Sequence, residues 1–167
     1  MIRAINICLA LVLALGLAGC GQKGKFRTYK GPEVTSIIVS KSEREMQLIH
    51  KTRVLKTYEI ALGFAPEGHK QFEGDGKTPE GTYFIDRQNP NSQFHLSLGI
   101  SYPNDADRAF AEAADKKPGG DIFIHGHTGF KDRYMGDWTL GCIAVTDEEM
   151  EVIYSMVKVG TPIFIKP

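Results

Sequence analysis

Two residues of the chain carry the side chains that nucleophilic catalysis needs, His125 and Cys142. His125 follows the apolar run 121–124, and Cys142 ends the segment 138–142, which reads Trp-Thr-Leu-Gly-Cys. A free thiol has a pKa of about 8.5, so it is mostly protonated at neutral pH and needs an activating neighbour. An imidazole can act as that base. The pair therefore predicts acyl transfer through a thioester, with His125 as base and Cys142 as nucleophile.

The residues around Cys142 fit this chemistry. Gly141 would let a substrate carbonyl come close to the backbone, and the amides of Gly141 and Cys142 are predicted to form an oxyanion hole. Thr146 and Glu149 form a capping-box pattern that predicts a helix start soon after the cysteine. Because a helix N-terminus carries partial positive charge, we expect it to favour the thiolate.

Other residues near this pair are candidates for substrate contact rather than for chemistry. Asp137 fits the wall of a cleft or an exposed loop equally well, whereas Tyr83 fits the core of a strand better than a site. On a regular strand His127 would face the same way as His125, so it points away only if the chain turns at Gly126. The candidate substrate-binding residues are Gly126, His127, Trp138 and Thr139.

Two other readings of these residues remain open. His125, His127 and Cys142 could bind a catalytic zinc ion, since three protein ligands and one water are typical of such sites. Alternatively, Cys142 could be inert packing in a non-catalytic wall-binding protein. Metal analysis and thiol reactivity would separate these readings from the enzyme. The prediction of a cysteine nucleophile with a histidine base includes no metal and no cofactor.

Short runs of β-branched and alternating residues predict a mainly β fold with a few short helices (α+β). The loop 63–77 is rich in glycine and charge and is long enough to be a candidate substrate-facing loop. Helices are predicted over 104–117, with Ala106, Ala109, Phe110 and Ala113 on one face, and from Thr146 to about Val157. The predicted strands are 34–39, 46–49, 54–62, 82–85, 94–100, 121–124 and 163–165.

The first residues predict export. One arginine precedes an apolar run that is too short to span a bilayer and ends in small residues, as in a secretory signal. Residues 17–20, Leu-Ala-Gly-Cys, resemble a bacterial lipobox. This resemblance implies a signal peptide over 1–19, lipid attachment at Cys20, a tether over 20–33 and a catalytic domain over 34–167. Plain secretion is the alternative. Cys8 leaves with the signal, so Cys142 would be the remaining free thiol.

The composition excludes one class of partner. The 20 Lys and Arg residues balance the 20 Asp and Glu residues, so no excess of positive charge favours nucleic acid. The predicted signal peptide and lipidation place the domain at the cell envelope, where we expect it on the periplasmic face of a membrane and held by its lipid. Gly21 after the lipid cysteine favours the outer membrane if the host has two.

The motifs together resemble the L,D-transpeptidase catalytic domain of the YkuD type. That family has a strand-end histidine, a loop and then Ser/Thr-x-Gly-Cys, which 124–126 and 139–142 match. Residues 78–83, Thr-Pro-Glu-Gly-Thr-Tyr, resemble its Thr-Pro-x-Gly-x-aromatic signature, and 34–63 and 159–163 resemble its first and last strands. The resemblance implies a β-sandwich fold and a peptidoglycan stem peptide as substrate.

The chain departs from the family pattern at two positions. Ala144 stands where the family usually has Arg or Asn, and Leu140 where it often has His. Gly-Cys-Ile-Ala-Val resembles a branch that includes murein hydrolases releasing anchored proteins, so both transfer and hydrolysis are expected outcomes. Lys131 or Arg133 could replace the missing polar group beside the nucleophile.

Overall fold

The computed structural model describes residues 24–127 and 136–167. The predicted signal peptide, the lipidation site Cys20, and the loop cations Lys131 and Arg133 lie outside these residues. Among the described helices, none has the length and apolar character needed to cross a membrane.

Eight strands form one curled sheet in the order β3-β2-β1-β8-β4-β5-β6-β7. β1 and β8 run parallel, as do β6 and β7, and the other neighbours are antiparallel. The strands are β1 (Ser36–Ser40), β2 (Glu45–His50), β3 (Arg53–Glu59), β4 (Gly81–Asn89), β5 (Ser97–Ile100), β6 (Phe123–His125), β7 (Ile143–Ala144) and β8 (Pro162–Lys166).

The two ends of this strand order meet just beyond β3. Ala61 pairs with Ala144 of β7, and Gly63 pairs with Thr139. The Ala61 and Ala144 amides donate to each other's carbonyls at 3.0 and 2.9 Å. The sheet therefore curls around a single buried core, and its closing seam lies beside the cysteine turn.

Two helices lie between the strands, α1 (Asp105–Ala113) and α2 (Asp147–Met156). Both begin with the predicted capping residue, and both close a full capping box, Asn104 with Asp107 and Thr146 with Glu149. α2 buries Met150, Ile153 and Met156 against the core, which confirms the apolar spacing read from the sequence.

The predicted inner face of α1 is wrong. Its buried residues are Asp107 and Ala111, while Phe110 is 51% exposed. Asp107 turns inward because the Tyr83 hydroxyl and His69 Nε2 bond its carboxylate at 2.9 and 3.0 Å. Tyr83 itself is a buried core residue, as predicted.

Candidate active site

Strand β6 places His125 at the centre of the site. β6 lies between β5 and β7, with His125 opposite Ser97 on one side and Ala144 on the other. Its Nδ1 lies 2.9 Å from the Gly126 carbonyl oxygen. Because a carbonyl can only accept, Nδ1 carries the proton, and Nε2 is left as the basic nitrogen.

Gly126 lies beneath the site, where it holds the imidazole. It is buried, its amide donates to Leu96 O at 3.2 Å, and a side chain there would lie 2.4 Å from Asp147 Oδ1. Gly126 is not among the described residues that line the two cavities beside Cys142. Its carbonyl orients the imidazole, and its contact with substrate stays a prediction.

The Cys142 thiol lies against the first residues of β6 and those just before it. The Phe123 amide donates to Sγ at 3.4 Å, and the thiol donates to Asp121 O at 3.6 Å. Burial raises the pKa of Cys142; the Phe123 hydrogen bond acts against this, and the negative charge of Asp121 adds to it. Burial also lowers the pKa of His125, against the hydrogen bond to Gly126. Both groups are therefore neutral in this resting arrangement.

The expected activation of the thiol by a helix end is corrected by this geometry. β7 lies between Cys142 and α2, which begins only at Asp147. The field of a helix terminus falls off within about one turn, and residues 143–146 separate Cys142 from the first residue of α2. The thiol pKa is raised rather than lowered.

Thr139 braces the cysteine turn from inside. Its hydroxyl donates to Cys142 O at 2.7 Å and accepts from the Gly141 amide at 3.1 Å. The Gly141 amide is therefore already used, which removes it from the predicted oxyanion pair in this arrangement. Gly141 itself has φ +128°, and a side chain there would lie 2.6 Å from Lys77 O. Only glycine fits this turn without strain.

Two cavities meet at His125 and Cys142. Both are lined by Phe94, Asp121, His125 and Cys142. The smaller, of about 220 Å³, is completed by Asn89, Ser92, Gln93, Ser97 and Phe123. The larger, of about 390 Å³, is completed by Gly120, Ile122, Trp138, Thr139 and Leu140. Both cavities thus include the thiol, and the lining surface of each is mainly apolar.

Aromatic rings surround the imidazole. Phe94 stacks on His125 with centroids 4.5 Å apart and planes 27° apart, and Trp138 meets it edge-on at 5.8 Å. His127 packs against Trp138 at 4.6 Å. Both histidines therefore contact the same indole and do not point to opposite sides. Phe94 was not predicted as a site residue, because it fell within the strand expected over 94–100. The only signal for its role was an aromatic residue next to a turn-rich segment.

Asp137 neither lines the cleft nor lies in an exposed loop. Its carboxylate binds Arg44 through Nη2 at 2.7 Å and accepts from the Leu62 amide at 2.8 Å, and its side chain is 14% exposed. It anchors the residues that precede Trp138. The position is structural because it joins the cysteine turn to the turn between β1 and β2.

The loop 63–77 supports the site from behind. Lys77 O lies against Gly141, and the Gly63 amide donates to Thr78 Oγ1 at 3.1 Å. Buried Lys41 bonds Gly68 O, Thr78 O and Glu80 at 2.7, 3.0 and 2.7 Å. The two cavities at Cys142 draw none of their described lining from this loop, whereas Pro66, Glu67 and Gly68 line another cavity, so its substrate-facing role stays a prediction.

The metal interpretation finds no support in the described geometry. Within residues 24–127 and 136–167, no three His, Cys, Asp or Glu side chains are grouped so that they could hold a metal ion. Instead the imidazole is engaged by Gly126 O, and the thiol by backbone atoms.

This arrangement of sheet, histidine and cysteine turn agrees with a family match. The model of the YkuD L,D-transpeptidase catalytic domain matches residues 34–165. The chain belongs to this family. The predicted family and the mainly β fold are both confirmed.

Particular relatives can now be named. YafK of Escherichia coli K12, provisionally named an L,D-transpeptidase, is 30% identical over 138 residues, which is 78% of this chain and 50% of YafK. The YafK of strain O157:H7 matches equally. The chain thus spans about half the length of these relatives.

Solved structures show the same fold. The helical cell shape determining protein Pgp2 of Campylobacter jejuni is 26% identical with a TM-score of 0.64, over 88% of this chain and 53% of Pgp2. Bd1075 of Bdellovibrio bacteriovorus is 23% identical with a TM-score of 0.58, over 84% of this chain and 50% of Bd1075. The Mycobacterium smegmatis L,D-transpeptidase is 13% identical with a TM-score of 0.56, over 80% and 59%. The last two show likeness of fold alone.

Proposed function

We propose that the protein is a cysteine acyltransferase that acts on the stem peptide of peptidoglycan through a thioester at Cys142. The observation that carries this proposal is that His125 and Cys142 line the same two cavities, with the imidazole tautomer set by Gly126 O. Membership of the L,D-transpeptidase family supports the choice of substrate.

The proposed reaction starts from a neutral pair. When substrate fills the cavities, the thiol exchanges its hydrogen bond to Asp121 O for one to Nε2 of His125, which takes the proton. Sγ attacks the carbonyl of the diamino-acid residue, and the C–N bond to D-alanine breaks as the imidazolium returns its proton to the leaving amine. An incoming amine then attacks the thioester carbonyl and gives a proton to His125. The C–S bond breaks as the new amide forms, and His125 returns the proton to Sγ of Cys142. The Cys142 amide remains a candidate donor to the oxyanion.

Two cavities beside one nucleophile favour transfer, since a donor and an acceptor strand must both reach the thioester. Hydrolysis is the second candidate, and Ala144 is the observation that favours it. Ala144 is fully buried between His125 and Ala61, so this position offers the acyl donor no polar side chain. With a less enclosed donor, water could resolve the thioester in place of an amine.

The test uses purified protein with tetrapeptide muropeptides and, separately, with protein-linked murein. New cross-linked dimers indicate transfer, and release of the protein without dimers indicates hydrolysis. We expect Cys142→Ala to abolish both, and His125→Ala to lower turnover by about 10²- to 10⁴-fold, the usual contribution of a general base. His50→Ala removes a half-buried strand-end histidine that lines neither cavity, and serves as the matched control. Turnover by Cys142→Ala above a few per cent of wild type contradicts the mechanism.

A further inference from the structure

The segment between β4 and β5 carries the ring that covers the catalytic imidazole. Phe94 is 42% exposed, yet one of its faces lies against His125 at 4.5 Å, and it contacts Trp138 at 6.3 Å. It also lines both cavities. These ring contacts are few, so the position of Phe94 also depends on what holds its segment, which begins and ends at the paired residues Asn89 and Ser97.

The contacts that hold this segment come from a distant part of the chain. Lys25 Nζ donates to Pro90 O at 2.5 Å and to His95 O at 3.3 Å. Glu151 of α2 accepts from Arg27 at 2.7 Å through one oxygen and pairs with His95 Nε2 at 3.0 Å through the other. Residues 25 and 27 therefore hold both ends of the segment 90–95, although they fall in the predicted tether.

We propose that Phe94 is a positioning residue for His125, and that Lys25 and Arg27 hold it there through Pro90, His95 and Glu151. The catalytic part of this proposal rests on the proposed function, but the effect on the imidazole does not. N-terminal residues expected to be only a spacer thereby become part of the support of the active site.

The physical reason lies in how few constraints the imidazole has. The hydrogen bond to Gly126 O fixes Nδ1 of His125. Rotation of the imidazole about this hydrogen bond would move Nε2 away from Sγ of Cys142. The stacked ring of Phe94 prevents this rotation. The ring also keeps water off the imidazole, and burial is the main cause of the lowered pKa of His125. The titratable groups near His125 are His127, Asp147, Asp121 and Cys142. Phe94 carries no charge, so its removal changes only packing and exposure.

The first experiment follows His125 by NMR titration in Phe94→Ala and Phe94→Tyr. We expect Phe94→Ala to raise the pKa of His125 towards its ordinary value and to lower kcat by about tenfold, because the base loses its fixed orientation. Phe94→Tyr keeps the ring and should restore both readouts. A merely structural role for Phe94 would change the melting temperature without moving the histidine titration. An unchanged titration, or failure of Tyr to rescue, overturns the proposal.

The second experiment tests the distant support in the full chain. The double variant Lys25→Ala/Arg27→Ala should shift the His125 titration in the same direction and lower kcat by about threefold, since exposed ion pairs are individually weak. Lys158→Ala is the matched control, because it breaks the exposed pair with Glu33 in the same N-terminal segment without touching 90–95. The proposal is overturned if the double variant and Lys158→Ala change the His125 titration and kcat equally, or if the double variant changes neither.

The two proposals fail in different ways. If the wild type does not turn over muropeptides but Phe94→Ala still moves the His125 titration, the positioning stands and the function is wrong. If turnover is present and Phe94→Ala leaves it and the titration unchanged, the positioning is wrong and the function stands.

Discussion

At the scale of single residues, the site keeps its reactive groups uncharged. Burial raises the pKa of Cys142 and lowers that of His125, so an ion pair is disfavoured before substrate binds. A neutral thiol is a poor target for oxidants and electrophiles. The electrostatics therefore support proton transfer that accompanies substrate binding rather than a stored thiolate.

Asp121 contributes to this resting state and can be tested alone. Its carboxylate raises the pKa of Cys142, and its side chain is 90% exposed, so Asp121→Asn should leave the fold intact. Asparagine also tolerates the φ of +53° found there. We expect the variant to lower the thiol pKa and shift the iodoacetamide-rate profile to lower pH, with faster alkylation near neutrality.

Asp86→Asn is the control for this effect. Asp86 also pairs with Arg87, at 2.9 Å, but it does not line either cavity in the described structure. Its alkylation profile should match the wild type. A shift of equal size in both variants would mean that the surface charge as a whole, and not Asp121, sets the reactivity of the thiol.

At the scale of elements, structure that depends on neighbouring residues could be predicted from the sequence. Contacts between residues far apart in the chain could not. The capping boxes and β1, β2 and β8 follow from neighbouring residues, and the structure has them near their predicted positions. The inward turn of Asp107 depends on Tyr83 and His69, which no periodicity within α1 reveals. In the site, the His and Cys could be paired from sequence, but the ring of Phe94 could not. Its position depends on Lys25, some seventy residues earlier.

The turn before Cys142 shows how tightly these elements meet. Gly141→Ala should lower the free energy of unfolding by about 2–4 kcal/mol, because the new Cβ meets a backbone carbonyl that cannot move aside and the φ is unfavourable. Gly160→Ala isolates the cost of a positive φ, since Gly160 has φ +91° and nothing lies within 4 Å of the added carbon. It should cost roughly 1 kcal/mol. Urea unfolding measures both, and equal losses would contradict the clash.

At the scale of the whole molecule, the curled sheet places the N-terminal segment and the active site on one side. Lys25 contacts Pro90 and His95, next to the ring that covers His125. A chain spans at most about 3.6 Å per residue, so Cys20 can lie no more than about 18 Å from Lys25. If Cys20 carries lipid, Lys25 and the residues it contacts, Pro90 and His95, lie close to the membrane surface.

The last prediction tests that anchor. Cys20→Ser removes the sulfur to which a lipid would be attached, and the acylated sulfur is what would hold the domain to a membrane. The variant should therefore be either soluble in lysed cells or left with its signal peptide uncleaved. The purified variant should still process isolated muropeptides at the wild-type rate, because the substitution leaves the described groups that contact His125 and Cys142 unchanged. Processing of intact cell walls in cells should fall, since the enzyme is no longer held beside its substrate. A Cys20→Ser protein that still partitions with membranes after normal cleavage would mean that another tether holds it.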